Sequence, residues 1–298
     1  MQADVALAGA TAVAGEPIAV HDVRGGGGLR LHVREWGNRD DPSLLFIHGW
    51  SQSQLCWARQ TSGPLAQRFH LVTFDNRGHG MSEKPLDVGG YVDAQLWADD
   101  LAAVIEHTAL DRPVLVASSY GGFIVCDYLR AYGAHTVAGI NLAGAAVMMT
   151  PRFDHIGPGF LDHAPEACVP DLPTNIAAIQ RFLRACTAEP LSLAEWSTAL
   201  CWNMVVPPAV RGALISRQID GTDVLSALTV PVLVTHGRAD TLVLPSMAEH
   251  VLAVCDTAVA SWYDGVGHLP HLEAAERFNR ELAALTRRAK APSRGHPA

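Results

Sequence analysis

The chain is poor in the features that mark several protein classes. Its 298 residues carry 22 Lys and Arg against 30 Asp and Glu, a net charge of -8, and no basic run occurs outside the extreme C-terminus. Nucleic-acid binding needs clustered positive charge, so no nucleic-acid partner is expected. No apolar run is long enough to cross a bilayer, which argues against membrane insertion. Val5 to Gly15 is Ala-rich and mildly apolar, but no Lys or Arg precedes Arg24, whereas a secretory leader begins with positive charge. The six cysteines (Cys56, Cys126, Cys168, Cys186, Cys201 and Cys255) lack Cys-x-x-Cys spacing. That scatter suits reduced thiols in a cytoplasm better than a disulfide framework or a zinc site. No Gly-x-Gly-x-x-Gly follows the early strands, so no dinucleotide cofactor is expected, and Gly25 to Gly28 reads as a hairpin turn.

What is present is apolar strand alternating with helix. A 49% hydrophobic composition over this length fits one large core with an insertion. Strand-like runs fall at Pro17–Val23, Leu29–Trp36, Leu44–Ile47, His70–Phe74, the apolar beginning of Val114–Phe123, Thr136–Leu142, Val230–Thr235 and Ala258–Tyr263. Helices are expected over Gln54–Phe69, around Leu96–Ile105, after Gly121, and over the closing amphipathic stretch marked by Phe278, Leu282 and Leu285. Arg287 to Ala298 reads as a frayed tail. The alternation demands an α/β fold with a mostly parallel sheet.

From Met148 to Leu228 the rhythm breaks. No strand is evident, prolines are frequent, and helix-like pieces fall at Ile176–Cys186, Ser192–Trp202 and Ala209–Ile219. The expectation is a helical cap, residues 148–228, over a core built from 1–147 and 229–298, the whole forming one integrated domain. Met148, Met149, Phe153, Phe160, Trp196, Trp202 and Met204 make the insertion rich in large apolar groups, most of which suit its own packing. Met148, Trp196 and Trp202 are the cap residues expected to face a partly apolar ligand, with Trp50 and Tyr120 facing it from the core.

The stretch Val114 to Phe123 joins a buried strand to a packed helix through Ser118-Ser119-Tyr120-Gly121-Gly122. A Ser pinned at such a turn is lifted off the sheet beside a helix N-terminus, the arrangement called a nucleophile elbow. The usual pattern is Gly-x-Ser-x-Gly, and here Ala117 replaces the first Gly, a difference of one methyl group. Alone, this run would also fit an ordinary strand-to-helix turn. Three other loops end at strand carboxyl ends. His48-Gly49-Trp50 would supply a backbone N–H from Trp50, to be paired with that of Tyr120. His236-Gly237-Arg238-Ala239-Asp240 places a carboxylate, and Gly265-Val266-Gly267-His268 a histidine on a pliant loop. The turn Asp75 to Ser82, dense in Gly and short polar residues, reads as structural knitting. His268, His271 and Glu273 lie close enough to suggest metal ligands, but a metal on His268 would compete with a base role and no His-Glu-x-x-His run occurs, so no metal is expected.

The chain order Ser119, Asp240, His268 is that of the α/β-hydrolases. From His48-Gly49 through Asp75-x-Arg77-Gly78-x-Gly80-x-Ser82 to Gly267-His268, nearly the full length resembles that family, and most closely its serine esterases grouped with cofactor-free haloperoxidases and perhydrolases. The resemblance implies a mostly parallel eight-stranded sheet flanked by helices. It also implies Ser119 as nucleophile, His268 as base, Asp240 as its orienting acid, and Trp50 and Tyr120 amides as the oxyanion hole. The reaction implied is hydrolysis of a small-molecule ester through an acyl-enzyme. Lactone hydrolysis, acyl-homoserine lactones included, and perhydrolysis stay open, as does a ligand-binding protein without turnover. A homodimer is left open as well.

Overall fold

In the computed structural model, residues 15–290 are described; the leader reading of Val5–Gly15 falls almost wholly outside them, as does most of the expected tail. An eight-stranded sheet forms from β1 (Ala19–Arg24), β2 (Arg30–Trp36), β3 (Ser43–Ile47), β4 (His70–Phe74), β5 (Val114–Ser118), β6 (Gly139–Ala143), β9 (Val232–Gly237) and β10 (Ala258–Tyr263). Met148–Met149 (β7) and Ile219–Asp220 (β8) form a separate two-residue antiparallel ribbon. The sheet order is β1-β2-β4-β3-β5-β6-β9-β10, antiparallel at β1·β2 and β2·β4 and parallel elsewhere.

The central strands follow from composition. Leu44–Ile47, Val114–Ala117 and Ile140–Leu142 are apolar apart from Asn141, and every residue of β3, β5 and β6 is buried, as a parallel strand covered on both faces requires. Asn141 is tolerated there because its Nδ2 donates to Thr235 Oγ1 at 2.8 Å. The helix Ala94–His107 starts at Asp93, whose side chain accepts from Gln95 N, and it buries Trp97, Leu101 and Val104. The closing helix Ala275–Lys290 buries Phe278, Leu282 and Leu285.

Four local expectations are corrected. Gln54–Phe69 is not one helix: a 3-10 turn (Gln54–Trp57) and a single α turn (Ala58–Thr61) stop before Ser62-Gly63-Pro64, where Pro64 removes a donor. The strand expected over Thr136–Leu142 begins at Gly139, after a 3-10 turn over Ala134–Thr136. The strand expected over Val230–Thr235 begins after Pro231, at Val232. Arg287 to Lys290 belong to the last helix rather than to a tail.

Residues 148–228 hold helices Leu172–Ala185, Leu193–Val205 and Pro208–Ile215, besides the strand ribbon that the sequence pattern did not reveal. Ser192 and Glu195 form a reciprocal capping box at the start of the second helix. The chain leaves β3 towards β4 on one side and returns to β5 on the other, so the crevice between the carboxyl ends of β3 and β5 is the topological switch point, where open α/β sheets bind ligands.

Candidate active site

Ser119 follows β5 at that crevice with φ of 54°, a left-handed conformation uncommon for a residue with a Cβ. Neighbouring bonds over-determine it: Ser119 N donates to Ala143 O at 3.3 Å, and its carbonyl accepts from Gly122 N and Ala146 N, both at 3.0 Å. The β3 loop comes so close that a Cβ on Gly49 would lie 2.8 Å from Ser119 Cβ, which is why glycine stands there. Ala117 is fully buried and pairs with Ile47 and Leu142, so its extra methyl is absorbed in the sheet core.

Asp240 and His268 meet beside this turn. His268 Nδ1 donates to Asp240 Oδ2 at 2.8 Å, and both side chains are buried. Asp240 Oδ1 accepts from Leu242 N at 2.8 Å and Val243 N at 3.1 Å, so two amide donors fix the orientation of the carboxyl group. Gly144, which follows the acceptor of the Ser119 amide, packs against the pair: a Cβ there would lie 3.4 Å from His268 Nδ1 and 3.5 Å from Asp240 Oδ2. The serine turn, the carboxylate and the imidazole are thus gathered at one edge of the sheet. Asp264, by contrast, is exposed and pairs with Arg238.

Among the described residues, the backbone N–H groups of Trp50 and Tyr120 donate to no acceptor within the chain. Two unoccupied donors flanking a serine turn suit an oxygen that develops negative charge. The β3 loop is fixed from behind by the Asp75–Ser82 turn. Ser51 N donates to His79 Nε2 at 3.2 Å, and His79 Nδ1 donates in turn to Arg77 O at 2.8 Å. Burial pushes the His79 pKa well below the ordinary value, which keeps Nε2 an acceptor. Asp75 accepts from Gln54 N and Met81 N, and Arg77 forms a buried pair with Asp100 at 2.6 Å. The turn read as structural therefore also holds the loop that carries Trp50, a link through His79 that sequence pattern did not reveal.

A cavity of about 30 Å³ opens at Ser119, lined by Tyr120, Met149, Ile156, Phe160, Ile215 and Leu242 among others, so that its wall is mostly apolar. Of the residues expected to contact a ligand, Tyr120 lies on this wall and the other four do not. Trp50 instead turns its indole to Arg211 O (3.1 Å) and packs edge-on against Phe160 and Phe182. Met148 pairs with Asp220 in the strand ribbon, Arg184 stacks over Trp196, and Trp202 packs between core clusters. Each is drawn into packing because a large apolar surface gains more from close neighbours than from an open pocket. His271 and Glu273 diverge from His268: His271 packs at a tilt against Trp57, ring centroids 4.3 Å apart, and Glu273 accepts backbone amides.

Residues 44–281 match the model of the alpha/beta hydrolase family. The chain is 28% identical over 276 residues to a bifunctional esterase/perhydrolase of Acinetobacter calcoaceticus, covering 87% of this chain and 97% of that protein. It is 27% identical to a non-heme haloperoxidase of Rhodococcus erythropolis over 87% of this chain and 96% of that protein. The crystal structure of an esterase from Rhodococcus sp. ECU1013 superposes with a TM-score of 0.85 at 32% identity, covering 90% of this chain and 98% of that one. No helix among the described residues is long and apolar enough to cross a membrane.

Proposed function

The chain belongs to the alpha/beta hydrolase family, and from that premise we propose a serine esterase that cleaves small, partly apolar carboxylic esters through an acyl-enzyme, with Ser119, His268 and Asp240 as its catalytic triad. The observation that carries the reading is the Asp240–His268 bond of 2.8 Å beside a strained serine turn.

A serine hydroxyl is too weakly acidic to attack a carbonyl unaided. His268 takes its proton as the Oγ–carbonyl bond forms, and later passes it to the departing alkoxide. Asp240 holds the Nδ1–H tautomer, so that Nε2 is left free to act as base, and stabilises the imidazolium. The amides of Trp50 and Tyr120 receive the oxyanion, a contribution of roughly 10²–10³ in kcat per donor in measured systems. Water, activated by the same imidazole, then releases the acid. Residues 148–228 serve as a cap: Phe160, Ile215 and Met149 close the cavity over Ser119. The reading places the enzyme in the cytoplasm, acting on a small molecule.

Perhydrolysis is the second reading, favoured by the esterase/perhydrolase relative that matches nearly end to end; there hydrogen peroxide replaces water in clearing the acyl-enzyme.

A fluorophosphonate probe and p-nitrophenyl acetate test the proposal together. Ser119 is expected to be labelled, and Ser119→Ala to abolish turnover with the melting temperature within a few degrees. Turnover retained in Ser119→Ala would place the nucleophile elsewhere. No label and no turnover across esters and lactones would favour a binding protein.

A further inference from the structure

Glu273 stands five residues beyond His268, at the end of the short helical turn Pro270–Glu273. Its carboxylate collects three backbone amides. Oε1 accepts from Gly267 N at 3.0 Å and Leu269 N at 3.3 Å, and Oε2 accepts from Ala188 N at 2.7 Å. The first two flank His268 in the chain. The third belongs to the 148–228 segment, just past the helix Leu172–Ala185.

A second link joins the same two segments. His268 N donates to Cys186 O at 3.0 Å, so three successive amides, Gly267, His268 and Leu269, point either to Glu273 or to the cap. Gly267 lets the backbones touch: a Cβ there would lie 2.8 Å from Ala188 N and 3.1 Å from Thr187 C. Asp240 fixes the imidazole at Nδ1, one point only. The direction of Nε2 then depends on where the loop backbone sits, and that is set by Glu273 and by residues 186–188.

We propose that Glu273 is a positioning residue which fastens the His268 loop to the cap, so that the base is aimed at Ser119 only while the Cys186–Ala188 segment is seated. The inference rests on His268 being the base. Charge-assisted bonds to a carboxylate are stronger than neutral ones. A misplacement of about 1 Å at a reacting group costs roughly a hundredfold in rate. Seating of the Cys186–Ala188 segment and placement of the base thus become one event.

The test is a double-mutant cycle on the full chain with p-nitrophenyl acetate. Glu273→Gln keeps one oxygen for Gly267 and Leu269 but sets an NH2 against the N–H of Ala188. Ala188→Pro, at an exposed position, removes that N–H from the other side. Each is expected to lower kcat roughly tenfold or more with KM within about twofold, and the double variant to lose little beyond either single one, as partners in one bond should. Wild-type kcat in Glu273→Gln, a loss confined to KM or to melting temperature, or losses that multiply would overturn the proposal. Fluorophosphonate labelling of wild-type Ser119 separates the two readings. Without it the hydrolase reading itself fails; with it, an unaffected Glu273→Gln sinks only the positioning role.

Discussion

Asp240 Oδ2 accepts from His268 Nδ1 at 2.8 Å while its other oxygen is saturated by the amides of Leu242 and Val243. This asymmetry decides what Asp240→Asn would do. The amides require the carbonyl oxygen of Asn at the Oδ1 position, which turns the NH2 towards His268 Nδ1. The imidazole must then present a lone pair at Nδ1 and carry its proton on Nε2, the wrong tautomer for a base. The expected loss in kcat is roughly 10⁴ at neutral pH with little change in fold. Steady-state kinetics beside circular dichroism would check it, and a loss under tenfold would remove Asp240 from the triad.

A pH response is expected from four buried imidazoles. Burial pushes the pKa values of His48, His79, His236 and His271 below the ordinary value, that of His271 to about 3. The folded chain resists protons that the unfolded chain accepts below its ordinary histidine pKa of 6.5. Stability is therefore complete above that value and declines as pH falls from 6.5 towards 3. His271 is the cleanest probe, since neither ring nitrogen has a partner among the described residues and the ring packs against Trp57. His271→Phe should leave or raise the melting temperature at pH 7 and flatten its decline between pH 6.5 and 4. An unchanged slope would assign the decline to other groups.

How much of this was legible in the residue pattern depends on how local the physics is. The central strands announce themselves, because burial on both faces demands unbroken apolar runs such as Val114–Ala117. The serine turn is readable since strand, small residues and helix are contiguous. The expected helix over Gln54–Phe69 fails at Gly63-Pro64, a local breaker that apolar spacing outweighed in the reading. The cavity wall was illegible for a different reason. Ile156, Ile215 and Leu242 line it, while Trp196 and Trp202 pack elsewhere, and nothing in composition distinguishes an apolar side chain facing a void from one facing a neighbour. The bond from Ala188 N to Glu273 was equally hidden, because it joins residues far apart in the chain.

Arg217 reaches from just past the helix Pro208–Ile215 to pair with Asp127 at 2.6 Å, and its second nitrogen donates to Tyr120 Oη at 3.2 Å. Both charges are buried, so removing one strands the other. Arg217→Met is expected to cost about 3–5 kcal/mol in urea unfolding, and Arg217→Met with Asp127→Leu to recover much of that. Since Tyr120 lines the cavity, the single variant should also lower kcat. Equal stability of single and double variants would mean that Asp127 finds another partner.

The size of the cavity makes the acyl group the final test. The cavity at Ser119 is small, about 30 Å³, and its wall is mostly apolar. Ile215 forms part of its wall and comes from the 148–228 segment, so Ile215→Ala should enlarge the space beside Ser119. The change is expected to cost less than the roughly 2–5 kcal/mol of a fully buried Ile truncation, because Ile215 is only partly buried. It should also favour longer acyl chains. Each methylene newly buried contributes about 0.8 kcal/mol, or roughly fourfold in kcat/KM, so the ratio of p-nitrophenyl butyrate to acetate turnover should rise by roughly fifteenfold over two methylenes. Varying the alcohol at constant acetyl provides the control. If Ile215→Ala shifts the preference among alcohols and leaves the acyl series unchanged, the cavity at Ser119 holds the leaving group, and the acyl chain lies on the opposite side of the nucleophile.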